Sequence, residues 1–136
     1  MIFGIGCDIA KVSRFERWVK NPELLERFFN REEHAKGTSV SMQRLSEYYA
    51  VRFAAKEAFS KALGTGLSGF SLRDVYVAKD ELNRPSLAVT GGAWSLLCER
   101  AGENPLVQVS LSHEKEYALA FVVIEKGVGG KNGARR

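Results

Sequence analysis

Cysteine and histidine are scarce in this chain, with two residues of each type. Cys7 and Cys98 lie too far apart in sequence for a metal-binding or redox spacing, so the thiol pattern excludes a disulfide scaffold and predicts buried free thiols. That usage points to the cytoplasm as compartment. His34 and His113 are the only histidines, which with scattered thiols excludes a zinc site. No apolar run approaches the ~18 residues needed to span a bilayer, so no membrane association is expected. The start, Met-Ile-Phe-Gly-Ile-Gly-Cys-Asp, has no basic segment and meets an acid at Asp8, which makes it a poor signal peptide. Walker and dinucleotide fingerprints are absent. Aromatics interleaved with basic residues on a strand face, the mark of many RNA-binding sheets, are also missing.

What is present is a chain of 136 residues, 45% of them hydrophobic, which suits one domain with a real core. Residues 1–126 are expected to form that domain. Residues 127–136, Gly-rich and basic, read as a disordered tail. The net charge of +4 favours an anionic partner without choosing among nucleic acid, a phosphorylated cofactor and an acidic protein.

The longest periodic stretch predicts a helix from Ser41 to Leu63, with Ser41 as N-cap and Gly64 as a left-handed C-cap. Met42, Leu45, Tyr49 and Phe53 form one apolar stripe. Tyr48, Val51, Ala55, Phe59 and Ala62 form a second, so much of the circumference should be buried. A third face carries Ala50, Ala54, Glu57 and Lys61. On a solvated helix Glu57 and Lys61 would be an ordinary i,i+4 ion pair worth a few tenths of a kcal/mol. Their apolar and small neighbours, Phe53, Ala54, Ala58 and Phe59, argue for a functional role instead.

Before this helix, Ile2 to Ile9 alternates as a strand, with Phe3, Ile5, Cys7 and Ile9 on one face and Gly4, Gly6 and Asp8 on the other. Ser13 to Lys20 reads as a short helix capped by Ser13, with Arg14, Arg17 and Lys20 along one edge. Asn21-Pro22-Glu23 starts another helix, and Asn30 to Glu33 a capped turn. Gly37 to Ser39 leads into the long helix. After it come a Gly/Ser loop to Ser71, a hairpin of Asp74–Ala78 and Ser86–Val89, and a helix Gly91–Arg100 with Trp94, Leu97 and Cys98 inward. A second hairpin joins Leu106–Leu111 to Tyr117–Ile124 through His113 at its tip. The fold class is therefore α+β: a mostly antiparallel sheet packed against one long central helix, with short N-terminal helices.

If the first strand lies beside the long helix, bare Gly4 and Gly6 can face bare Ala50 and Ala54. Asp8 and Glu57 then emerge together. Two carboxylates ~4 Å apart repel by roughly 4 kcal/mol at an effective dielectric of 20, which implies a cation. Asp plus Glu without His or Cys suits Mg²⁺, which keeps waters and takes phosphate oxygens. Lys61 would neutralise the same phosphate, as in metal-assisted phosphoryl transfer. A basic RNA-binding domain and a docking module without chemistry stand as the other two readings. The first would show salt-dependent RNA binding; intact Asp8, Glu57 and Lys61 argue against the second.

Three segments carry a resemblance. Gly4-Ile5-Gly6-Cys7-Asp8-Ile9 with Arg14-Phe15-Glu16, the run Phe53 to Gly66, and Ser110-Leu111-Ser112-His113 with Tyr117-Ala118-Leu119-Ala120 resemble, in order and spacing, the motifs of the holo-acyl-carrier-protein synthases. The resemblance implies transfer of phosphopantetheine from coenzyme A to a serine of apo acyl carrier protein, in support of fatty acid synthesis. It implies Mg²⁺ on Asp8 and Glu57, with Lys61 stabilising charge there. Arg52 and His113 would contact coenzyme A phosphates, and the Gly64–Gly66 loop would line the groove. Arg14 would meet acidic residues of the carrier, with Arg17 and Lys20 on the same basic edge. A homotrimer with active sites between subunits is implied too.

Overall fold

The computed structural model describes residues 1–36 and 40–127. The connection Gly37–Ser39 and the tail beyond residue 127 lie outside the described residues.

The organising element is helix α3, Met42–Leu63. Ser41 Oγ accepts the Arg44 amide at 3.2 Å, satisfying one of the open amides of the first turn. At the other end Gly64 turns left-handed (φ 86°), and its amide donates to Ser60 O. From Tyr49 to Leu63 every residue is buried except Arg52, Glu57 and Lys61. Burial on almost all sides follows from the two apolar stripes, with alanines letting neighbouring backbones come close.

The closest of those neighbours is β1, Ile2–Lys11, two residues longer than its alternation predicts. A Cβ on Gly4 would overlap Ala62 O, and one on Gly6 would overlap Ala58 O and lie 2.7 Å from Ala62 N. Strand backbone therefore rests on helix backbone, as the bare face suggested. The partners are Ala58 and Ala62, however, rather than the expected Ala50 and Ala54. The strand crosses near the C-terminal end of the helix, because that is where the small residues coincide with the glycine spacing.

β1 pairs antiparallel with β5, Tyr117–Glu125, and β5 with β4, Leu106–His113, giving the order β1-β5-β4. Ala118, Ala120, Val122 and Ile124 of β5 point to α3 and are buried. The opposite face is apolar yet open: Ile5 is 59% exposed, Ile9 63% and Phe121 42%, with Leu119 beside them. Cys7 lies on this face and is exposed, which corrects the expectation of a buried thiol; Cys98 is half-buried. Strands β2, Val75–Lys79, and β3, Pro85–Val89, form a separate two-stranded antiparallel sheet, so the strands divide into two sheets.

The N-terminal helices anchor through aromatic rings. Val12–Phe15 is a 3₁₀ turn followed by α1, Glu16–Val19. Val12, Phe15 and Trp18 are buried at every third position, which leaves Arg14, Arg17 and Lys20 exposed on the adjoining edge. No side chain caps this segment, so Ser13 is not the N-cap expected. Trp18 meets Phe15 at 5.0 Å and Phe53 of α3 at 5.2 Å between ring centroids. α2, Pro22–Phe28, is capped by Asn21, and Asn30 with Glu33 forms a capping box over the turn Arg31–Glu33. Helix α4, Gly91–Ala101, buries Ala93, Leu97 and Ala101. Trp94, expected inward, is 41% exposed, because the smaller Ala93 and Ala101 take the buried face with Leu97.

Candidate active site

Asp8 and Glu57 do converge, on the flank of α3 that β1 leaves uncovered. Register places Asp8 opposite Ala120 of β5, on the inward face of β1, where the helix carries Glu57 and Lys61. Lys61 Nζ donates to Asp8 Oδ1 at 3.0 Å and to Cys7 O at 3.0 Å. The ammonium thus pairs with the strand carboxylate rather than with Glu57 one turn away. That bond, together with the charge of Asp8, holds the Lys61 ammonium above its ordinary pKa. Burial pushes the Glu57 carboxyl up, and the charge of Asp8 pushes it further. Lys61 and Arg14 pull it back down without cancelling the rise. Burial is the largest cause, so the raised carboxyl marks a partly desolvated site in which Asp8, Lys61 and Arg14 all act on Glu57.

Arg14 belongs to this neighbourhood as well as to the exposed edge. Its guanidinium lies 5.3 Å from the Phe53 ring, 5.4 Å from Phe15 and 5.9 Å from Trp18. Arg17 and Lys20 are exposed on the same edge.

Arg52 and His113 come together elsewhere. They line a groove of about 390 Å³ with Lys36, Arg44, Glu47 and Tyr48. The Arg52 guanidinium lies 3.5 Å from the Tyr48 ring centroid, and Nη1 donates to Tyr48 O. Its buried Nε has no hydrogen-bond partner among the described residues. Burial draws the Arg52 pKa down, chiefly by desolvation. His113, the last residue of β4 rather than the hairpin tip, has Nδ1 3.4 Å from Glu47 Oε1. Arg44 escaped the sequence reading, although Arg44, Tyr48 and Arg52 recur every four residues on one helix face.

Gly64 and Gly66 stand at the far end of α3, both left-handed (φ 86° and 63°), with open space around Gly66. Five residues separate Arg52 from Glu57, roughly 140° around the helix. Twelve separate Arg52 from Gly64, roughly 18 Å along it. One chain therefore presents two separate clusters: a carboxylate pair with a lysine, on the same end of α3 as the glycine loop, and a cationic groove on another flank.

A sequence model of the 4′-phosphopantetheinyl transferase superfamily matches residues 4–122, and the chain belongs to that superfamily. A holo-[acyl-carrier-protein] synthase from Treponema denticola is 50% identical over 92% of this chain and 99% of its own length. The crystal structure of a holo-(acyl-carrier-protein) synthase from Bacillus anthracis in complex with CoA (3′,5′-ADP) has a TM-score of 0.72 and 36% identity, covering 93% of this chain and 99% of that one. The Helicobacter pylori enzyme in complex with coenzyme A has a TM-score of 0.70 at 31% identity, covering 89% and 99%. Within the superfamily, then, this is an enzyme of the holo-[acyl-carrier-protein] synthase family.

Proposed function

We propose that the enzyme transfers the 4′-phosphopantetheine arm of coenzyme A to a serine hydroxyl of an apo acyl carrier protein. The serine oxygen bonds to the β-phosphorus, the pyrophosphate bridge breaks, and adenosine 3′,5′-bisphosphate leaves. The observation that carries this reading is the convergence of Asp8 and Glu57 beside Lys61, at positions where an otherwise buried helix stays open.

The donor set fits Mg²⁺. Asp8 and Glu57 bring two carboxylates together, Lys61 bonds just one of them, and among the described residues no cluster of three or more His, Cys, Asp or Glu could hold a metal by itself. Mg²⁺ suits so few protein ligands, because water and phosphate oxygens complete its shell. Bound by Asp8 and Glu57, it would supply charge neutralisation at the pyrophosphate. Glu57, or a water held by the metal, would take the serine proton. Lys61 has to exchange its bond to Asp8 for one to phosphate, which its half-exposed side chain allows. The Gly64–Gly66 loop would line the phosphate groove, with the Gly64 amide kept by the helix cap, and Arg52 and His113 would hold a phosphate in the groove on the other flank. Arg14, Arg17 and Lys20 would form the docking edge for an acidic carrier. We assign the whole transferase to residues 1–126, acting in the cytoplasm in support of fatty acid synthesis.

The two separate clusters and the open apolar face of β1 and β5 together favour a closed homotrimer, in which one chain's groove completes its neighbour's carboxylate site. Phe121→Glu, centred on that face, is expected to sediment at equilibrium as a single chain and to lose most transfer activity. An active monomeric wild type would remove the trimer from the reading.

The function itself is tested by mass spectrometry of an apo acyl carrier protein incubated with enzyme, coenzyme A and Mg²⁺. The carrier is expected to gain one phosphopantetheine, and excess chelator to suppress the gain. An unmodified carrier under all conditions, or full transfer in chelator, would overturn respectively the activity or the metal.

A further inference from the structure

Both ends of the loop that joins α3 to the next element are tied to backbone carbonyls by cationic side chains that take no direct part in the proposed chemistry. At the entry, Arg100 Nε of α4 donates to Leu63 O at 2.9 Å, and its Nη2 lies against Gly64, 3.1 Å from where a Cβ would be. At the exit, Lys56 Nζ donates to Leu72 O at 2.9 Å and to Val75 O at 2.6 Å. Its third proton goes to Glu33 Oε1 at 2.6 Å. Lys56 and Glu33 are both fully buried. Glu33 also accepts the Asn30 and Val77 amides, so the pair has no unmet polar group.

Desolvation of two charges makes such a pair a poor source of stability by comparison with apolar residues of the same volume. Its geometry does something an apolar pair could not. It binds the far end of residues 64–71 to the same helix that launches them, two turns back from Leu63. Between the pins, Phe70 packs edge-on against Phe59 at 5.7 Å, and Gly64, Gly66 and Gly69 are all left-handed. A segment with that many glycines would otherwise lose much conformational entropy on closing around a ligand.

We propose that Lys56 and Arg100 are positioning residues that hold the 64–71 loop in its phosphate-accepting shape before coenzyme A arrives. This rests on the proposed function, in which that loop lines the coenzyme A groove. Preorganisation of this kind appears in the affinity for the bound molecule rather than in the chemical step.

The test uses two variants. Arg100→Met changes an exposed residue and keeps its aliphatic stem. Lys56→Met with Glu33→Gln removes both buried charges together, so neither is stranded. Each is expected to raise the coenzyme A KM about fivefold to tenfold, with kcat and the carrier KM within about twofold of wild type. Amide hydrogen exchange across residues 65–71 should accelerate by about tenfold or more, while the middle of α3 exchanges as before. Unchanged loop exchange in both variants overturns the pinning. Faster exchange with an unchanged coenzyme A KM overturns the link to binding. A raised KM with unchanged exchange also overturns it, because the side chain would then act by touching the ligand. If wild-type enzyme neither binds coenzyme A nor modifies a carrier, the proposed function fails instead, and the exchange measurement still decides the pinning.

Discussion

Glu57→Gln is expected to lower phosphopantetheine transfer by about a thousandfold or more and, in metal-free protein, to raise the unfolding temperature at pH 7. The two effects have one cause. The Glu57 carboxyl is raised first by burial and then by Asp8, with Lys61 and Arg14 opposing. A carboxyl whose folded pKa lies above its unfolded value, about 4.3, binds its proton more tightly in the folded state. The stability it contributes is fully present below the unfolded pKa and is lost as pH rises through the folded one. Glutamine keeps the shape and carries no charge. The gap in unfolding temperature between variant and wild type should therefore be near zero at acid pH, open as pH rises through the carboxylate range, and level off above it. Thermal melts across pH in chelator measure this, and added Mg²⁺ should stabilise the wild type alone. A gap of the same size at every pH, or a wild type more stable at neutrality, would contradict the crowded-carboxylate account. Asp8→Asn should give no comparable gain, because Lys61 donates to Asp8 Oδ1 and would lose its charged acceptor.

The second large effect is structural. Gly6→Ala should destabilise the protein by about 3 kcal/mol or more, seen as a fall of about 10 °C in the unfolding temperature. The new Cβ would overlap Ala58 O and press on Ala62 N, both helix backbone, so no side chain can swing away to make room. β1 must lift off α3, and Asp8, two residues on, is carried away from Glu57. The same substitution should therefore weaken Mg²⁺ binding as well as the fold. Gly66→Ala provides the contrast. Among the described residues nothing lies within 4 Å of its Cβ position, so the penalty is that of the left-handed backbone (φ 63°), at about 1–2 kcal/mol. Calorimetry of the two variants separates close approach from backbone conformation. Equal melting temperatures for Gly6→Ala and wild type would show that the strand does not rest on the helix this closely.

Much of this was legible because it depends on neighbours in sequence. The stripes of α3 predict burial over much of its circumference, and between Tyr49 and Leu63 all residues but Arg52, Glu57 and Lys61 are buried. Ser41, Gly64, Asn21 and the Asn30–Glu33 box cap what their side chains suit them to cap. Alternation in β1 put Gly4, Gly6 and Asp8 on one face, and that face is the one turned to the helix.

What tertiary structure alone decided involves partners far apart in the chain. Local periodicity says which way Lys61 points, yet its acceptors are Asp8 and Cys7, more than fifty residues away. The buried Lys56–Glu33 pair joins residues 23 apart on different elements, which no local periodicity can pair. Which alanines meet the glycines of β1 depends on where along α3 the strand crosses. Trp94 stays outside because Ala93, Leu97 and Ala101 fill the buried face of its helix. His113 meets Glu47 only once β4 is laid beside the start of α3. Spacing within one element sets the direction of each side chain, because helix and strand have fixed periods. What a side chain meets there is set by how the elements pack, through burial and close approach summed over the whole chain.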